Sequence, residues 1–273
     1  MNKINNIIKN SINECIPNSF GKIGGIEASH IQHYLRTGTP VLTRGNSLAI
    51  NAGIATASEN ELRFWCESYI ESIENLDYVL EWCPEQGDKY ILDSVWKGKE
   101  KFSSFDGLEP FVLGSEGWHF SLSEKNILVV SPFRDSIMKQ FERMEKIWPG
   151  VSPADVHVVK SPFPPALLGE TNPKPYYYHL EEMKNEIAKV NFDFATVGAG
   201  GYSLILLDFI KNQGKPCVHL GGSNQILFGI RGKRWDNNEK FVNSNWYGTE
   251  NWIRPFSHEV PPNAHLVENA CYW

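Results

Sequence analysis

Two pairs of neighbouring glycines end apolar runs in the second half of this 273-residue chain. The stretch "FATVGAGGYS" places Gly198, Gly200 and Gly201 between a predicted strand and a predicted helix, and "VHLGGS" ends the next strand with Gly221 and Gly222. Glycine lets a backbone approach a ligand closely, and the free N–H groups at the start of a helix attract an anion. The spacing therefore predicts a phosphate-binding site. The alternative is a pair of tight turns that bind nothing.

The glycine pattern does not fit a dinucleotide cofactor. The run from Gly198 to Ser203 reads G-x-G-x-x-S, so serine stands where the third glycine belongs. The next strand ends in "HLGG", without the acidic residue that would hold a ribose. We therefore expect no NAD, and a mononucleotide or a sugar nucleotide suits these turns better. His219 lies in an apolar strand, which favours a buried core histidine over a catalyst.

Polar and cationic side chains near the turns are candidates for binding the same substrate. Arginine forms bidentate pairs with phosphate, and side-chain amides hydrogen-bond to a base or a sugar. Arg231, in "FGIRGKRW", could equally belong to a solvated basic loop. Together with the five glycines, the predicted substrate-binding residues are Lys22, Gly24, Gly25, Arg44, Asn51, Ser131, Tyr202, Asn224, Gln225 and Arg231.

Two carboxylates are candidates for catalysis. Glu27 follows Gly24 and Gly25 at the start of a predicted helix, where a carboxylate can bind a metal, act as a base or complement the helix dipole. Glu109 lies in the stretch "LEPFVLGSEGWHF", whose aromatic rings either stack on sugars or cover the edge of the core. Glu27 is the leading candidate for metal ligand or base.

A parallel sheet would bring these residues together. Residues 126–235 alternate apolar runs such as "NILVVS", "DVHVVK" and "DFATV" with helical patterns, and parallel strands need helical crossovers. We predict one α/β domain over residues 1–273 with a Rossmann-like, mostly parallel sheet and flanking helices. Residues 1–125 are predicted as a helical and loop extension that carries Glu27, with "DYVLEWCP" as a strand, and residues 236–273 as a C-terminal wrap.

Composition narrows the class of protein. The net charge is −6 and the sequence pI about 5.8, which argues against a broad nucleic-acid surface. The five cysteines form no C-x-x-C pair, so neither a zinc site nor a disulfide framework is indicated. The sequence shows neither a secretory signal nor a transmembrane segment. We expect a cytoplasmic protein, with peripheral association with the inner membrane and homo-oligomers left open.

The block "DFATVGAGGYSLILLDFIKNQGKPCVHLGGSNQILFGIRGKRW" resembles bacterial proteins encoded among surface-polysaccharide genes, in or near the GT-D glycosyltransferase fold group. "SFGKIGGIEASHI" is similar to a second hallmark of that group, R-x-G-D-G-E, and "NAGI" and "VENACYW" also look like these proteins. The resemblance implies transfer of a sugar from a nucleotide sugar donor to a glycan or lipid-linked glycan acceptor. It also implies Mn²⁺ or Mg²⁺ bound through Asp-x-Glu.

The chain departs from that motif at two positions. If Glu27 matches the glutamate of the motif, Gly25 stands at the aspartate position and Lys22 at the arginine position. One carboxylate is therefore missing, and a divalent cation under a diphosphate normally needs one or two. Lys22, Arg44 or Arg231 could offset the diphosphate charge instead. Two other functions stay open: a hydrolase or lyase acting on a sugar phosphate or a glycan, and a non-catalytic protein that binds nucleotide sugars.

Overall fold

Seven parallel strands form one sheet in the part of the chain that the structure describes. The computed structural model describes residues 3–41, 47–56 and 58–273. The strands are β1 (Ser19–Lys22), β2 (Tyr78–Leu80), β3 (Glu100–Phe102), β4 (Asn126–Ser131), β5 (Asp155–Lys160), β6 (Phe194–Val197) and β7 (Cys217–His219). Their spatial order is β3-β2-β1-β7-β6-β4-β5, and each neighbouring pair is parallel. The predicted α/β class with a Rossmann-like parallel sheet is confirmed.

Helices cover both faces of this sheet. Successive residues of β4 point to opposite faces, so Ile127 and Val129 join one apolar cluster while Leu128 and Val130 join the other. The α-helices are α1 (Lys3–Asn13), α2 (Gly25–Thr37), α3 (Ser47–Asn51), α4 (Glu59–Glu74), α5 (Asp88–Val95), α6 (Arg134–Phe141), α7 (Met144–Ile147), α8 (Pro165–Leu168), α9 (Tyr176–Ile187), α10 (Ser203–Asn212), α11 (Asn224–Leu227), α12 (Lys233–Asp236) and α13 (Glu239–Val242). Among these described helices, none has the length and apolar character needed to cross a membrane.

Short 3₁₀ helices fill much of the remaining chain. They span Pro84–Gln86, Phe105–Gly107, Pro110–Glu116, Trp118–Leu122, Gly200–Tyr202, Gly221–Ser223, Ser257–Glu259 and Ala264–Leu266. In the aromatic stretch of residues 105–122, the rings of Phe111 and Trp118 are completely buried. These rings cover the core, as one of the two interpretations of this stretch predicted, and are not available to stack on a sugar.

Three of the seven described strands lie in the first 125 residues, so the prediction that this part is a helical and loop extension is corrected. β2 lies within the predicted strand "DYVLEWCP", but β1 pairs with β7 at the centre of the sheet and β3 forms one edge. β3 has the sequence "EKF" and no fully buried residue. β3 is an edge strand with a neighbouring strand on one side only, so its sequence shows no apolar run. Its place in the sheet depends on its pairing with β2.

The strand order opens two crevices at the carboxyl edge of the sheet. From β4 the chain continues outward to β5, whereas from β6 it continues in the other direction to β7. Likewise β1 leads away to β2, while β7 lies on its opposite side and leads into α11. Ligands of open parallel sheets bind where connections diverge in this way. A ligand site is therefore expected at the carboxyl ends of β4, β6, β1 and β7.

A buried carboxylate at the opposite, amino edge holds three elements in register. Asp77 Oδ2 accepts hydrogen bonds from the Ser19 N–H and hydroxyl at 3.0 and 3.1 Å. Lys99, just before β3, and Lys211 of α10 place their ammonium groups 3.1 and 2.9 Å from this carboxylate. Burial alone would raise the pKa of Asp77, but the hydrogen bonds from Lys211 and Ser19 and the Lys211 charge outweigh it and lower the pKa.

We expect Asp77→Asn to destabilise the protein by about 2–4 kcal/mol, because the change leaves two lysines without their shared, largely buried partner. The stabilisation by Asp77 should be complete above its ordinary pKa of 3.8. It should be lost as the pH falls through the lower pKa of the folded state. Urea unfolding of the wild type and the variant over a pH series measures both effects.

Asp93→Asn is the matched control for this experiment. Asp93 also faces two lysines, Lys101 at 2.5 Å and Lys89 at 3.0 Å, but its side chain is 51% exposed against 9% for Asp77. Solvent screens such a pair, so we expect little change in unfolding. Equal effects of the two substitutions would contradict a special role for the buried carboxylate.

Candidate functional site

A cavity of about 280 Å³ lies at the carboxyl ends of β1, β4, β6 and β7. A second depression, of about 710 Å³, lies near Asn126 and Asp155 at the amino edge of the sheet, away from both glycine turns. Because open parallel sheets bind ligands at the carboxyl edge, the first cavity is the candidate site. The predicted residues that line it are Lys22, Gly24, Gly25, Glu27, Asn51, Ser131, Gly198, Gly200, Tyr202, Gly221, Gly222, Asn224 and Gln225.

Four predicted site residues are not part of this lining. Arg44 lies outside the described residues. Gly201 is buried, and its N–H donates to the carbonyl of Ala52. Arg231 forms an ion pair with Asp236 at 3.0 Å. Glu109 lies behind the wall, where its Oε1 accepts a hydrogen bond from the Ser223 hydroxyl at 2.5 Å.

Protein atoms fill the space beside most of the glycines. A Cβ on Gly200 would lie 2.6 Å from the carbonyl oxygen of Ala52, and one on Gly201 would lie 2.5 Å from the side chain of Ile54. The Gly198 N–H donates to the Val130 carbonyl at 2.8 Å. The turn after β6 is thus packed against the chain that follows α3, which corresponds to the tight-turn interpretation.

The turn after β7 is different. A Cβ on Gly222 would meet the ring of Tyr272 at 2.4 Å, so that glycine also makes room for protein. Gly221 has φ +61°, and the nearest atoms to its missing Cβ are His219 Nε2 at 3.6 Å and Lys22 Cε and Nζ at 3.7 and 4.0 Å. Within the described chain, neither Gly221 nor Gly222 donates its N–H to an acceptor. A Cβ on Gly221 would therefore make only ordinary contacts, and Gly221 lines the cavity beside the polar atoms of His219 and Lys22.

Lys22 brings a positive charge to this space without a bonded anion. Its ammonium lies 4.6 Å from the ring centre of Phe105 and 5.9 Å from that of Trp82. Across the described residues, it forms no ion pair within 4.0 Å. Burial lowers the pKa of Lys22 to about 8, although the negative charge of Glu109 acts in the opposite direction. The amine is available to bind an anion.

Glu27 contributes a buried carboxylate on another wall of the cavity. It occupies the third position of α2 after the N-cap residue Gly24, and a Cβ on Gly24 would lie 2.1 Å from Glu27 Oε2. Burial raises the pKa of Glu27. A Cβ on Gly25 would lie 1.6 Å from Gln86 Oε1, so an aspartate at position 25 would require Gln86 to move.

The cavity does not fit a divalent cation held by two carboxylates. Among the described residues of its lining, the one acidic side chain besides Glu27 is Glu268, which pairs with Arg234 at 2.5 Å. Mn²⁺ and Mg²⁺ under a diphosphate prefer hard oxygen ligands that carry negative charge. Glu27 alone supplies one such group, while the donor groups of Lys22 and Arg234 favour the anion itself.

A separate group of metal-ligand residue types lies at the start of α6. Ligand atoms of Asp135, His258 and Glu259 lie within 4.8 Å of one another. However, Glu259 accepts hydrogen bonds from the N–H groups of Asp135 and Ser136 at 2.8 and 3.2 Å. His258 Nε2 lies 2.7 Å from Asp135 Oδ2, a hydrogen-bond distance. These contacts are those of a helix cap, in which the buried Glu259 carboxylate is occupied by hydrogen bonds from backbone N–H groups.

Two of the three predicted amides, Asn224 and Gln225, organise the wall of the cavity. Asn224 Nδ2 donates to the Val130 carbonyl at 3.2 Å, and Gln225 Nε2 donates to the carbonyls of Arg231 and Tyr272 at 3.1 and 3.2 Å. Their side-chain oxygens are buried and accept no hydrogen bond from the described residues. The amide N–H groups thus join the end of β4 and residues 231 and 272 to the turn after β7.

The sequence interpretation missed several residues that line the cavity. The turn at Glu268, Asn269 and Ala270 has three successive positive φ angles of 44°, 55° and 63°. It brings the chain back so that Tyr272 lies between Gly222 and Arg234, with the guanidinium 4.7 Å from the ring centre. No local sequence pattern predicts a left-handed turn at "ENA". Other unpredicted residues of the lining include Trp82, Phe133, Phe163, His219 and Trp273.

We expect Lys22 to titrate with a pKa of about 8, against 10.5 for an ordinary lysine. Glu109→Gln should lower that pKa further, because it removes a negative charge that favours the ammonium form. NMR titration of ¹³C-methylated lysines, with Lys22 assigned through Lys22→Arg, measures both values. Glu116→Gln is the control, since this exposed carboxylate lies in the same stretch and does not act on Lys22. A Lys22 pKa near 10.5 would show that the amine is solvated.

Comparison with known proteins assigns no relative to this chain. No protein-family model matches it, and neither a curated protein nor a solved structure matches it. Among the described residues, the cavity combines a buried carboxylate, a lysine without an ion pair and free backbone N–H groups at the carboxyl edge of a parallel sheet.

Proposed function

We propose that this protein is a glycosyltransferase that takes a sugar from a nucleoside diphosphate sugar and passes it to a surface-polysaccharide acceptor. The observation that carries this proposal is the Lys22 ammonium, unpaired within the described chain and adjacent to Gly221 at the carboxyl edge of the sheet. The resemblance of the "IGGIE" and "VHLGGS" stretches to the GT-D group supports the same reaction.

The chemistry requires stabilisation of the departing diphosphate. Negative charge grows on that group as the glycosidic bond to the sugar breaks, and fixed donors stabilise it best in a site with little water. Lys22 supplies a full charge, and the N–H groups of Gly221 and Gly222 supply dipoles beside it. Arg234 lies in the same lining, and its guanidinium has further N–H groups besides those bonded to Glu268 and Tyr272.

The acceptor hydroxyl must lose a proton during transfer, and Glu27 is the group we assign to accept it. A base is most effective when its pKa lies near the working pH, and burial moves the pKa of Glu27 upward from its ordinary value of 4.5. Across the described chain, no lysine or arginine nitrogen pairs with this carboxylate within 4.0 Å. In this mechanism Lys22 and Arg234 offset the diphosphate charge without a metal ion.

Aromatic walls complete the site. The cavity is lined by the rings of Trp82, Phe133, Phe163, Tyr202 and Trp273. Such rings stack on a nucleobase or on the apolar face of a sugar. The volume of about 280 Å³ is close to the lower end of the range for small-molecule sites, so it suits the sugar and diphosphate while the rest of the ligand extends outward.

A non-catalytic protein that binds nucleotide sugars is the second candidate. The observation in its favour is Gly25, which leaves Glu27 without the second carboxylate of the Asp-x-Glu motif. The binding half of the site would remain as described, because Lys22 and Gly221 do not depend on that carboxylate. Both candidate functions predict binding of a nucleotide sugar, but only the transferase predicts its turnover.

We expect one of the nucleotides UDP, GDP, CDP, ADP or CMP to raise the melting temperature, because a ligand that binds only the folded state stabilises it. The rise should persist in EDTA. Lys22→Met should weaken binding by about 10- to 100-fold, the usual effect of losing a charged hydrogen-bond donor. Calorimetric titration of both proteins measures this change.

Lys233→Met is the matched control, since it removes the same charge from an exposed side chain outside the cavity lining. Its affinity should equal that of the wild type. Absence of binding by any of the five nucleotides to the folded wild type would contradict both candidate functions. Binding that disappears in EDTA would contradict the metal-free arrangement of charges.

We expect Glu27→Gln to lower turnover of the nucleotide sugar by about 100-fold or more, because a positioned base contributes on that scale. Nucleotide affinity should change little. Release of nucleoside diphosphate from the sugar donor, with and without a glycan acceptor, measures the rate. Glu116→Gln serves as control. A wild type that binds nucleotide sugars but turns none over would favour the binding protein.

A further inference from the structure

His219 presents a free hydrogen-bond acceptor to the cavity. Its Nδ1 lies 3.0 Å from the carbonyl oxygen of Lys22. A carbonyl can only accept, so Nδ1 must carry a proton, and in the neutral ring Nε2 then carries a lone pair. Within the described residues, Nε2 has no hydrogen-bond partner, although His219 as a whole is 5% exposed. The bond to Lys22 therefore sets both the ring orientation and the tautomer.

This acceptor and the Lys22 ammonium flank the same point. The position that a Cβ of Gly221 would occupy lies 3.6 Å from His219 Nε2 and 4.0 Å from Lys22 Nζ. Gly221 has φ +61°, a conformation that favours glycine, so no side chain of its own fills this part of the cavity. Lys22, His219 and Gly221 all line the cavity, so a ligand group in the cavity beside Gly221 lies between a hydrogen-bond acceptor and a charged donor.

Few chemical groups satisfy both neighbours. A hydroxyl can donate to Nε2 and accept from the ammonium at the same time. An ionised phosphate oxygen accepts only, so the lone pair on Nε2 would repel it. Lys22 has more than one N–H and can bind phosphate and hydroxyl together. The diphosphate is therefore expected beside Lys22 and the free N–H groups, with a hydroxyl at Gly221.

We propose that His219 Nε2 and Lys22 Nζ jointly bind one hydroxyl group of the sugar and thereby select the sugar donor. This inference rests on the proposed function. Burial and the nearby Lys22 charge lower the pKa of His219 to about 3, so the ring stays neutral near physiological pH and keeps its acceptor. So weak a base orients the hydroxyl and leaves deprotonation of the acceptor to Glu27.

The test separates the two nitrogens of His219. In His219→Asn the amide N–H₂ can replace Nδ1 and keep the bond to the Lys22 carbonyl, but nothing replaces Nε2. We expect the variant to melt close to the wild type and to bind UDP within about twofold. It should bind UDP-glucose about 5- to 10-fold more weakly, the usual range for one uncharged hydrogen bond. GDP with GDP-mannose forms the equivalent pair if the protein prefers guanine.

Deoxy sugars identify the hydroxyl. Among the mono-deoxy analogues of UDP-glucose, one should lose affinity for the wild type by a similar factor and lose none for His219→Asn. If His219→Asn weakens UDP and UDP-glucose equally, or if every deoxy analogue loses the same factor in both proteins, the hydroxyl assignment is wrong. The transferase proposal would survive that result.

Two measurements keep the inference testable if no nucleotide binds. Glucose 1-phosphate and inorganic phosphate form a pair that differs in sugar hydroxyls and needs no nucleotide site, and only the former should lose affinity in His219→Asn. Equal losses, or binding of neither, would overturn the inference. Separately, ¹⁵N NMR of the histidine rings reports the tautomer. A proton on Nε2 of His219, or a charged ring at neutral pH, would overturn it whatever the ligand.

Discussion

The pairing of β1 with β7 holds the candidate site together. Ser19 and Phe20 lie in register with Cys217 and Val218, and the side chain of His219 continues the contact through its bond to the Lys22 carbonyl. Residues almost two hundred positions apart thus meet at the centre of the sheet. Side chains alternate between the faces of a strand, so a shift of one residue would turn Lys22 away from Gly221. The unpaired ammonium, the oriented imidazole and the open glycine all depend on this register.

Buried polar groups at both edges of the sheet maintain that register. Asp77 ties the start of β1 to α10 at the amino edge, and Gln225 ties the turn after β7 to Tyr272 at the carboxyl edge. The carboxylate is fully satisfied, whereas Gln225 Oε1 is buried without a partner among the described residues. A buried oxygen of this kind costs free energy. This unfavourable oxygen lies in the cavity wall, where the amide N–H₂ holds the backbone carbonyls of Arg231 and Tyr272 in place.

Sequence patterns predicted the elements that are buried on both sides. β4, β6 and β7 match the predicted runs, because strands covered by helices read as continuous apolar stretches, and β5 was also predicted although it lies at an edge. The edge strand β3 was not predicted, because its residues are mostly polar. The place of β1 in the sheet also escaped it, since its neighbours are distant in sequence. The placement of most predicted site residues around one cavity follows from a simpler rule, that the carboxyl ends of parallel strands share an edge.

The glycines illustrate what a sequence pattern leaves undetermined. A glycine in a turn indicates that something comes close to the backbone, but the approaching group belongs to the tertiary structure. At Gly200 it is the carbonyl of Ala52, and at Gly222 it is the ring of Tyr272. At Gly221 the nearest atoms are an imidazole nitrogen and a lysine side chain that line the cavity. His219 resembled a core residue because its strand is apolar. In the structure, one of its ring nitrogens lies against the Lys22 carbonyl and the other lies beside Gly221. Gly221 is the glycine of the two turns where no described protein atom lies within 3.4 Å of the position of a Cβ, so His219 becomes part of the site.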